Sequence, residues 1–187
     1  MFAGVEGEGA MDAWWQSALD LEYNDVHGIA FTAGAIDIAK CFDQISRDLL
    51  YEVCKNAGMP PELLDAYSRY QEGLQHYNTL MGNIGRPYQK ALGIPQGDPY
   101  SMMLTALLLT PWLNRMIEIG VKPRILADDM FIIAEGPHHQ QLFEQAVNET
   151  HSMLKQMGAK VASGKSTAFS TCPTIMVWRR GHKWKGD

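Results

Sequence analysis

The stretch KPRILADDMFIIAEG, residues 122–136, constrains this chain more than any other. Two short apolar runs, ILA and MFIIA, are separated by Asp128 and Asp129, and apolar runs of this length bounded by a turn read as paired strands. The acids then fall at the tip of a hairpin. Asp is also a common turn residue, so a solvated turn would account for either site taken singly. The apolar strands on both sides weigh against that reading, because adjacent carboxylates held at a rigid tip repel each other unless a cation is present. A third acid, Asp37, ends GIAFTAGAID, whose alternating small and apolar residues read as a buried strand. Three carboxylates on strand ends suit Mg²⁺, which prefers oxygen ligands and in pairs supports in-line phosphoryl displacement.

The remaining pattern alternates helices with short strands. AMDAWWQSALDLEYN predicts an amphipathic helix, with Trp14 and Trp15 packing it onto the sheet. Asp43 or Ser46 begins the next helix, SRDLLYEVCKNAG, which Gly58 closes, and PPELLDAYSRYQEGL follows as another. From His76 to Leu92 a segment centred on Asn83, Gly85 and Pro87 reads as a hairpin or a pair of short strands. Pro95 to Pro99 form a turn into the helix YSMMLTALLLTPWLNRMI, whose Met102, Met103, Leu104, Leu107 and Leu108 are expected in the core. A helix from His138 to Met157, with His138 and His139 at a solvated start, is followed by strands near 159–161 and 167–170. Antiparallel pairing with helices on one face is an α+β layout.

Composition sets the bounds. The chain has 187 residues, 46% hydrophobic and 20% charged, which is the make-up of one folded domain or part of a larger enzyme. No apolar run approaches the roughly 20 residues of a membrane span. MFAGVEGEGAMDAWW has neither a basic nor an apolar leader region, so an intracellular site is the expectation. Cys41, Cys54 and Cys172 lack the spacing of a zinc site or a disulfide framework and read as reduced thiols, mostly core. A net charge of −5 runs against nucleic-acid binding, which depends on Lys and Arg. Catalytic carboxylates supply part of that charge, and other domains can supply much of the phosphate grip.

Four segments together resemble the palm of reverse transcriptases, particularly those of group II introns and non-LTR retroelements. Asp37-Ile38-Ala39-Lys40-Cys41-Phe42-Asp43 is similar to the family's first palm motif, and Gly93-Ile94-Pro95-Gln96-Gly97-Asp98-Pro99-Tyr100-Ser101 to its second. Leu126-Ala127-Asp128-Asp129 resembles the third, with Leu126 where an aromatic is common, and Gly158 to Ser166 the fourth. The nine-residue second string is the most specific of these, and all four occur in order over most of the chain.

The resemblance implies an RNA-recognition-motif-like antiparallel sheet backed by helices, and an RNA-directed DNA polymerase working with two Mg²⁺ ions, or Mn²⁺. Asp37, Asp128 and Asp129 would be catalytic, and Asp37, Ile38, Asp128 and Asp129 would hold metal. Phe42, Gln96, Gly97 and Lys165 would bind the deoxynucleoside triphosphate, with RNA template and DNA primer as partners. The expected division is a helical lead-in over 1–28, the palm over 29–174 and a basic tail over 175–187. The thirty-six residues before Asp37 hold no Lys or Arg, so the family's basic fingers are expected to be missing or nearly so, and its thumb is not expected in the short stretch after about Thr174. A fragment of a longer protein is therefore expected.

Other readings stand beside this one. An RNA-dependent RNA polymerase palm shares the architecture but usually lacks a bulky aromatic at the position of Phe42 and carries Gly where Ala127 stands. A non-enzymatic RNA-binding descendant would be expected to lose its acids. Lys165 reads equally as a nucleotide contact or a solvated lysine, and Arg179 to Lys185 reads more as a solvated tail than as one that touches nucleic acid. Gly164-Lys165-Ser166 suggests a phosphate-binding loop, but the opening Gly is out of register and the motif's strand-then-helix setting is reversed.

Overall fold

The computed structural model describes residues 6–172. The chain runs through helix α1 (Ala10–Val26), strand β1 (Phe31–Asp37), a single turn of helix α2 (Cys41–Gln44), α3 (Arg47–Asn56) and α4 (Pro61–Gly73). A hairpin of β2 (His76–Leu80) and β3 (Asn83–Tyr88) leads to α5 (Ser101–Ile119). Strands β4 (Lys122–Leu126) and β5 (Asp129–Glu135), helix α6 (His139–Gln156) and β6 (Thr167–Ser170) complete it. Local chemistry sets several of these boundaries. Ser46 caps α3 by accepting the Leu49 N–H, Pro61 opens α4 where its missing N–H costs nothing, and Gly120 ends α5 at φ 92.

One four-stranded sheet in the order β4-β5-β1-β6 is antiparallel throughout. Side chains alternate between its faces. Ile36 and Ile132 enter the main core with Leu104, Leu109, Trp112 and Phe143, so α5 and α6 lie on that face with α3 beyond. Gly34 faces the same way, and a Cβ there would stand 2.8 Å from the Phe143 ring and 2.9 Å from the Thr167 carbonyl oxygen. Only glycine lets α6 and β6 come this close. The expected α+β layout is present.

Helix α1 departs from the expectation of helices on one face only. Its Leu21 packs beside Phe31, Ala33, Phe131 and Ile133, all on the opposite side of the sheet. The helix is held there largely by polar groups: Asp20 pairs with Lys122 at 3.0 Å and Arg124 at 2.6 Å, and Asn24 donates to Glu135 at 2.9 Å. Its inner face is small and polar, so Trp14 and Trp15 turn outward, 58% and 52% exposed, instead of packing on the sheet.

Three further expectations change. The buried stripe of α5 is Ser101, Leu104, Thr105, Leu108, Leu109, Trp112 and Met116, and Met102 and Met103 lie off it, partly exposed. His139 is buried, not solvated: its Nδ1 is 2.7 Å from Thr32 Oγ1, and burial lowers its pKa. The β2–β3 turn falls at Met81-Gly82, with φ 48 and 80, while Asn83, Gly85 and Pro87 lie within β3. A two-residue hairpin loop of this kind needs positive φ at both positions, which Gly82 supplies freely. Cys41 and Cys54 are buried and Cys172 is half-buried. The basic run from Arg179 to Lys185 lies outside the described residues.

Candidate active site

Asp37 is the last residue of β1 and Asp129 the first of β5, and the two are register partners across the adjacent strands. Asp128 sits beside them in the two-residue loop Ala127-Asp128, which joins the paired residues Leu126 and Asp129. Ala127 has φ 57, a left-handed conformation that a side chain adopts only at a cost and that recurs at functional sites. No strand separates the two acidic segments. Cys41 lies close enough to Asp37 and Asp128 that both, after burial itself, push its thiol up to about 12. It stays protonated beneath them.

The carboxylates crowd one another. Asp129 is raised above the usual carboxylate range by burial, then by Asp128 and Asp37, with Lys165 opposing. Asp37 Oδ2 is buried and has no hydrogen-bond partner. Lys165 Nζ lies 3.5 Å from that oxygen, at ion-pair distance but without hydrogen-bond geometry, and its side chain is 77% exposed. The described cation paired with Asp37 is thus a solvent-exposed side chain. Among the described residues no three His, Cys, Asp or Glu side chains converge closely enough to hold an ion by themselves. An unmet buried oxygen and mutually repelling acids nonetheless fit Mg²⁺, which commonly uses one or two carboxylates and takes water and substrate oxygens for the rest.

The segment from Gly158 to Thr167 holds the backbone of Asp37 from the other side. Ala162 donates to the Asp37 carbonyl at 2.8 Å, the Asp37 N–H donates to Ser166 Oγ at 3.2 Å, and Ala39 donates to the Lys160 carbonyl at 2.8 Å. Ile38 faces Val161 in an antiparallel bridge built from these flanking bonds, which leaves Ile38's own carbonyl out of it. A helix precedes Gly164-Lys165-Ser166 and a strand follows, the reverse of a phosphate-binding loop.

Phe42, half-buried, packs its ring on the main core while its carbonyl accepts from Ile94 at 2.7 Å. Gly93 donates to the Ile45 carbonyl at 2.8 Å, so the segment after Asp37 and the Gly93–Ser101 segment are tied backbone to backbone. Gly93 has φ 90, and a Cβ there would stand 2.7 Å from the Phe42 carbonyl oxygen. Gln96 and Gly97 are exposed at the tip of this turn.

Beneath the turn lies a buried polar network that sequence reasoning did not find. Asp98 Oδ2 accepts from Tyr67 Oη at 2.7 Å and Gln71 Nε2 at 2.8 Å, and Oδ1 accepts from the Tyr100 N–H at 2.8 Å. Burial, then the Asp98 bond, raises the Tyr67 phenol well above its ordinary value. Buried Arg47 donates to the Gly93 carbonyl at 3.0 Å and the Gln71 carbonyl at 2.9 Å. Arg47 and Gln71 sit on amphipathic helices where nothing in their spacing separates them from surface residues. Asp98, next to Gly97 in a turn, reads as a solvated turn acid until α4 is seen to cover it.

The family model described as reverse transcriptase (RNA-dependent DNA polymerase) matches residues 13–185. The chain belongs to the reverse transcriptase family. It is 26% identical over 155 residues to the retrovirus-related Pol polyprotein from the type-2 retrotransposable element R2DM of Drosophila melanogaster, covering 79% of this chain and 14% of that one. Among solved structures it is similar to apo telomerase from Candida tropicalis truncated from the C-terminal domain, with a TM-score of 0.64 and 12% identity over 84% of this chain and 34% of that one. Telomerase from Candida albicans in complex with a TWJ fragment of telomeric RNA gives 0.62 and 15%, over 87% and 30%. At these identities the telomerases share the fold. The reverse transcriptase chain described here therefore spans about a seventh of the polyprotein and about a third of the telomerase chains. The family generally uses divalent metal ions. No helix among the described residues is long and apolar enough to cross a membrane.

Proposed function

We propose that this chain is the catalytic palm of an RNA-directed DNA polymerase, extending a DNA primer on an RNA template with deoxynucleoside triphosphates. The observation that carries it is the pairing of Asp37 with Asp129, with Asp128 in the adjoining loop and a buried Asp37 oxygen left without a hydrogen-bond partner. Asp37 and Asp128 would hold two Mg²⁺ ions, which Mn²⁺ could replace, with Asp129 and the Ile38 carbonyl as additional ligands. Bound there, the ions would acidify the primer 3′-hydroxyl and neutralise charge on the leaving pyrophosphate.

The chain's own groups do the positioning. The Phe42 ring, anchored in the core on one side, would stand where a ribose 2′-hydroxyl would collide. Gln96 and Gly97, at the tip of a turn stiffened by Arg47 and Asp98, would seat the base and sugar. Lys165, whose only described ion-pair partner is Asp37, would turn to the triphosphate once a metal takes its place on that carboxylate. We assign the palm to 29–174, a lead-in to 1–28 and a tail to 175–187. Fingers and thumb would come from other parts of a longer protein acting inside the cell.

Primer extension on an RNA template tests this reading, run with the chain alone and with it joined to its flanking coding sequence. The chain alone is expected to extend poorly and to lose primer-template as salt rises, because its net charge is −5 and binding to phosphates depends on Lys and Arg. Asp37→Asn and Asp128→Asn should each lower extension by the longer protein by about 100-fold or more, as loss of charge stabilisation at a reacting phosphate does. Extension undiminished in either variant would exclude the assignment.

A further inference from the structure

Behind the strand that ends in Asp37 lies a cavity of about 570 Å³, between α6, β6 and the 158–167 segment. That volume is within the range of small-molecule sites, about 300–1,000 Å³. Its inner wall is apolar, with Phe143, Val147, Leu154 and Val161 among the lining residues. Its formally charged lining, Lys155 and Lys160, has one sign. His151 also lines it, and no Asp or Glu does, on a chain whose net charge is −5. Lys155 and Lys160 are exposed and have no ion-pair partner among the described residues, whereas Lys90 and Lys165 each have one and Lys122 has two. An apolar chamber with unpaired ammonium groups beside it selects a molecule with an apolar body and one anionic group.

We propose that this cavity is a binding site for an amphipathic organic anion, such as an aryl or alkyl carboxylate or sulfonate, and that its occupancy is felt at Asp37. The segment that lines it is the one that holds Asp37. Val161, Ser163 and Ser166 line the cavity, while Ala162 and Ser166 bond the Asp37 backbone and the neighbouring Lys165 pairs with its carboxylate. Lys160 contributes its side to the cavity and its carbonyl to the Ala39 N–H. A ligand that pushes this segment outward lengthens those bonds, and one that fills the chamber without strain fixes them. Either way the strand end carrying Asp37 changes its freedom. The site is independent of the polymerase reading, since it stands on the chamber and its charges.

The test uses the full 187-residue chain and anilinonaphthalene sulfonate as the probe, with uncharged N-phenylnaphthylamine beside it. Fluorescence titration should show saturable binding at one site. Lys155→Glu with Lys160→Glu should weaken the sulfonate by about tenfold or more, as two reversed charges beside a bound anion require, and leave the uncharged probe unchanged. Lys55→Glu, on the exposed side of α3, serves as the control and should change neither. Ala159→Trp, which puts a bulky ring into the chamber from its lining, should weaken both; if that variant does not fold, the exposed lysine pair decides alone. In amide NMR spectra the sulfonate should shift Asp37, Ala162 and Ser166. Absence of saturable binding would overturn the proposal, as would equal affinity in the Lys155/Lys160 and Lys55 variants. Shifts confined to the exposed apolar side of α1 would overturn it as well.

Discussion

Gly93 and Gly97 form a matched pair that isolates what the close approach of two site segments contributes. Both have left-handed backbones, φ 90 and 91, so alanine at either carries a similar conformational cost of roughly 1–2 kcal/mol. Their surroundings differ. A Cβ at Gly97 meets nothing within 4 Å, whereas one at Gly93 stands 2.7 Å from the Phe42 carbonyl oxygen, 3.0 Å from Asp43 Cα and 3.1 Å from the Asp43 carbonyl oxygen. All three are backbone atoms, held by the Gly93–Ile45 and Ile94–Phe42 hydrogen bonds, so no flexible side-chain end can give way. Overpacking of this kind costs roughly 1–3 kcal/mol. Gly93→Ala should therefore destabilise by about 2–5 kcal/mol in all, the sum of the strain and overpacking terms. Gly97→Ala should show only the strain term, about 1–2 kcal/mol. For a chain of this size each kcal/mol moves Tm by about 2–4 °C, so thermal unfolding followed by circular dichroism resolves the two. Equal losses would refute the argument that the Phe42 and Gly93 segments are locked by contact.

Three other outcomes follow from the site. The raised Asp129 carboxyl means that the unfolded chain releases this proton first, so the native state loses stability as pH climbs from the ordinary Asp value, about 3.9, through the raised one. Asp129→Asn should then raise Tm at pH 7 without added metal, with the gap closing as pH falls to about 4; a lowered Tm at pH 7 would count against the crowding. Mn²⁺ at 100 times its dissociation constant should stabilise the wild-type chain by about 2.7 kcal/mol and leave Asp37→Asn unmoved, and calorimetric equality of the two would remove Asp37 from the metal site. Phe42→Val in a polymerase-competent longer protein should raise the ribonucleotide-to-deoxynucleotide ratio of kcat/KM by about tenfold or more, since that ratio reads differential transition-state binding. An unchanged ratio would make Phe42 a core residue only, and a wild-type preference for ribonucleotides would assign an RNA polymerase.

Much of this protein was legible from the chain alone wherever a signal is local. The hairpin of Asp128 and Asp129, the strand ending at Asp37, Ser46 as one of the two offered starts of α3 and Gly58 after its end depend on residues within a few positions of one another, and the structure has each where the pattern puts it. The order of the four motifs likewise lies in the sequence. What the sequence did not contain is which distant groups meet. Asp37 and Asp129 stand 92 positions apart in sequence (129 − 37) and become neighbours only because β1 pairs with β5. The reversal of α1, with its tryptophans outward, depends on charges in β4 and β5 that no helical period reveals. Asp98 changes from a turn residue to a buried acceptor because α4, nearly thirty residues earlier, brings Tyr67 and Gln71 over it. Periodicity reports the side of an element that is apolar; only tertiary contact decides which polar groups are taken out of water, and those must find hydrogen-bond partners or remain, like Asp37 Oδ2, without one.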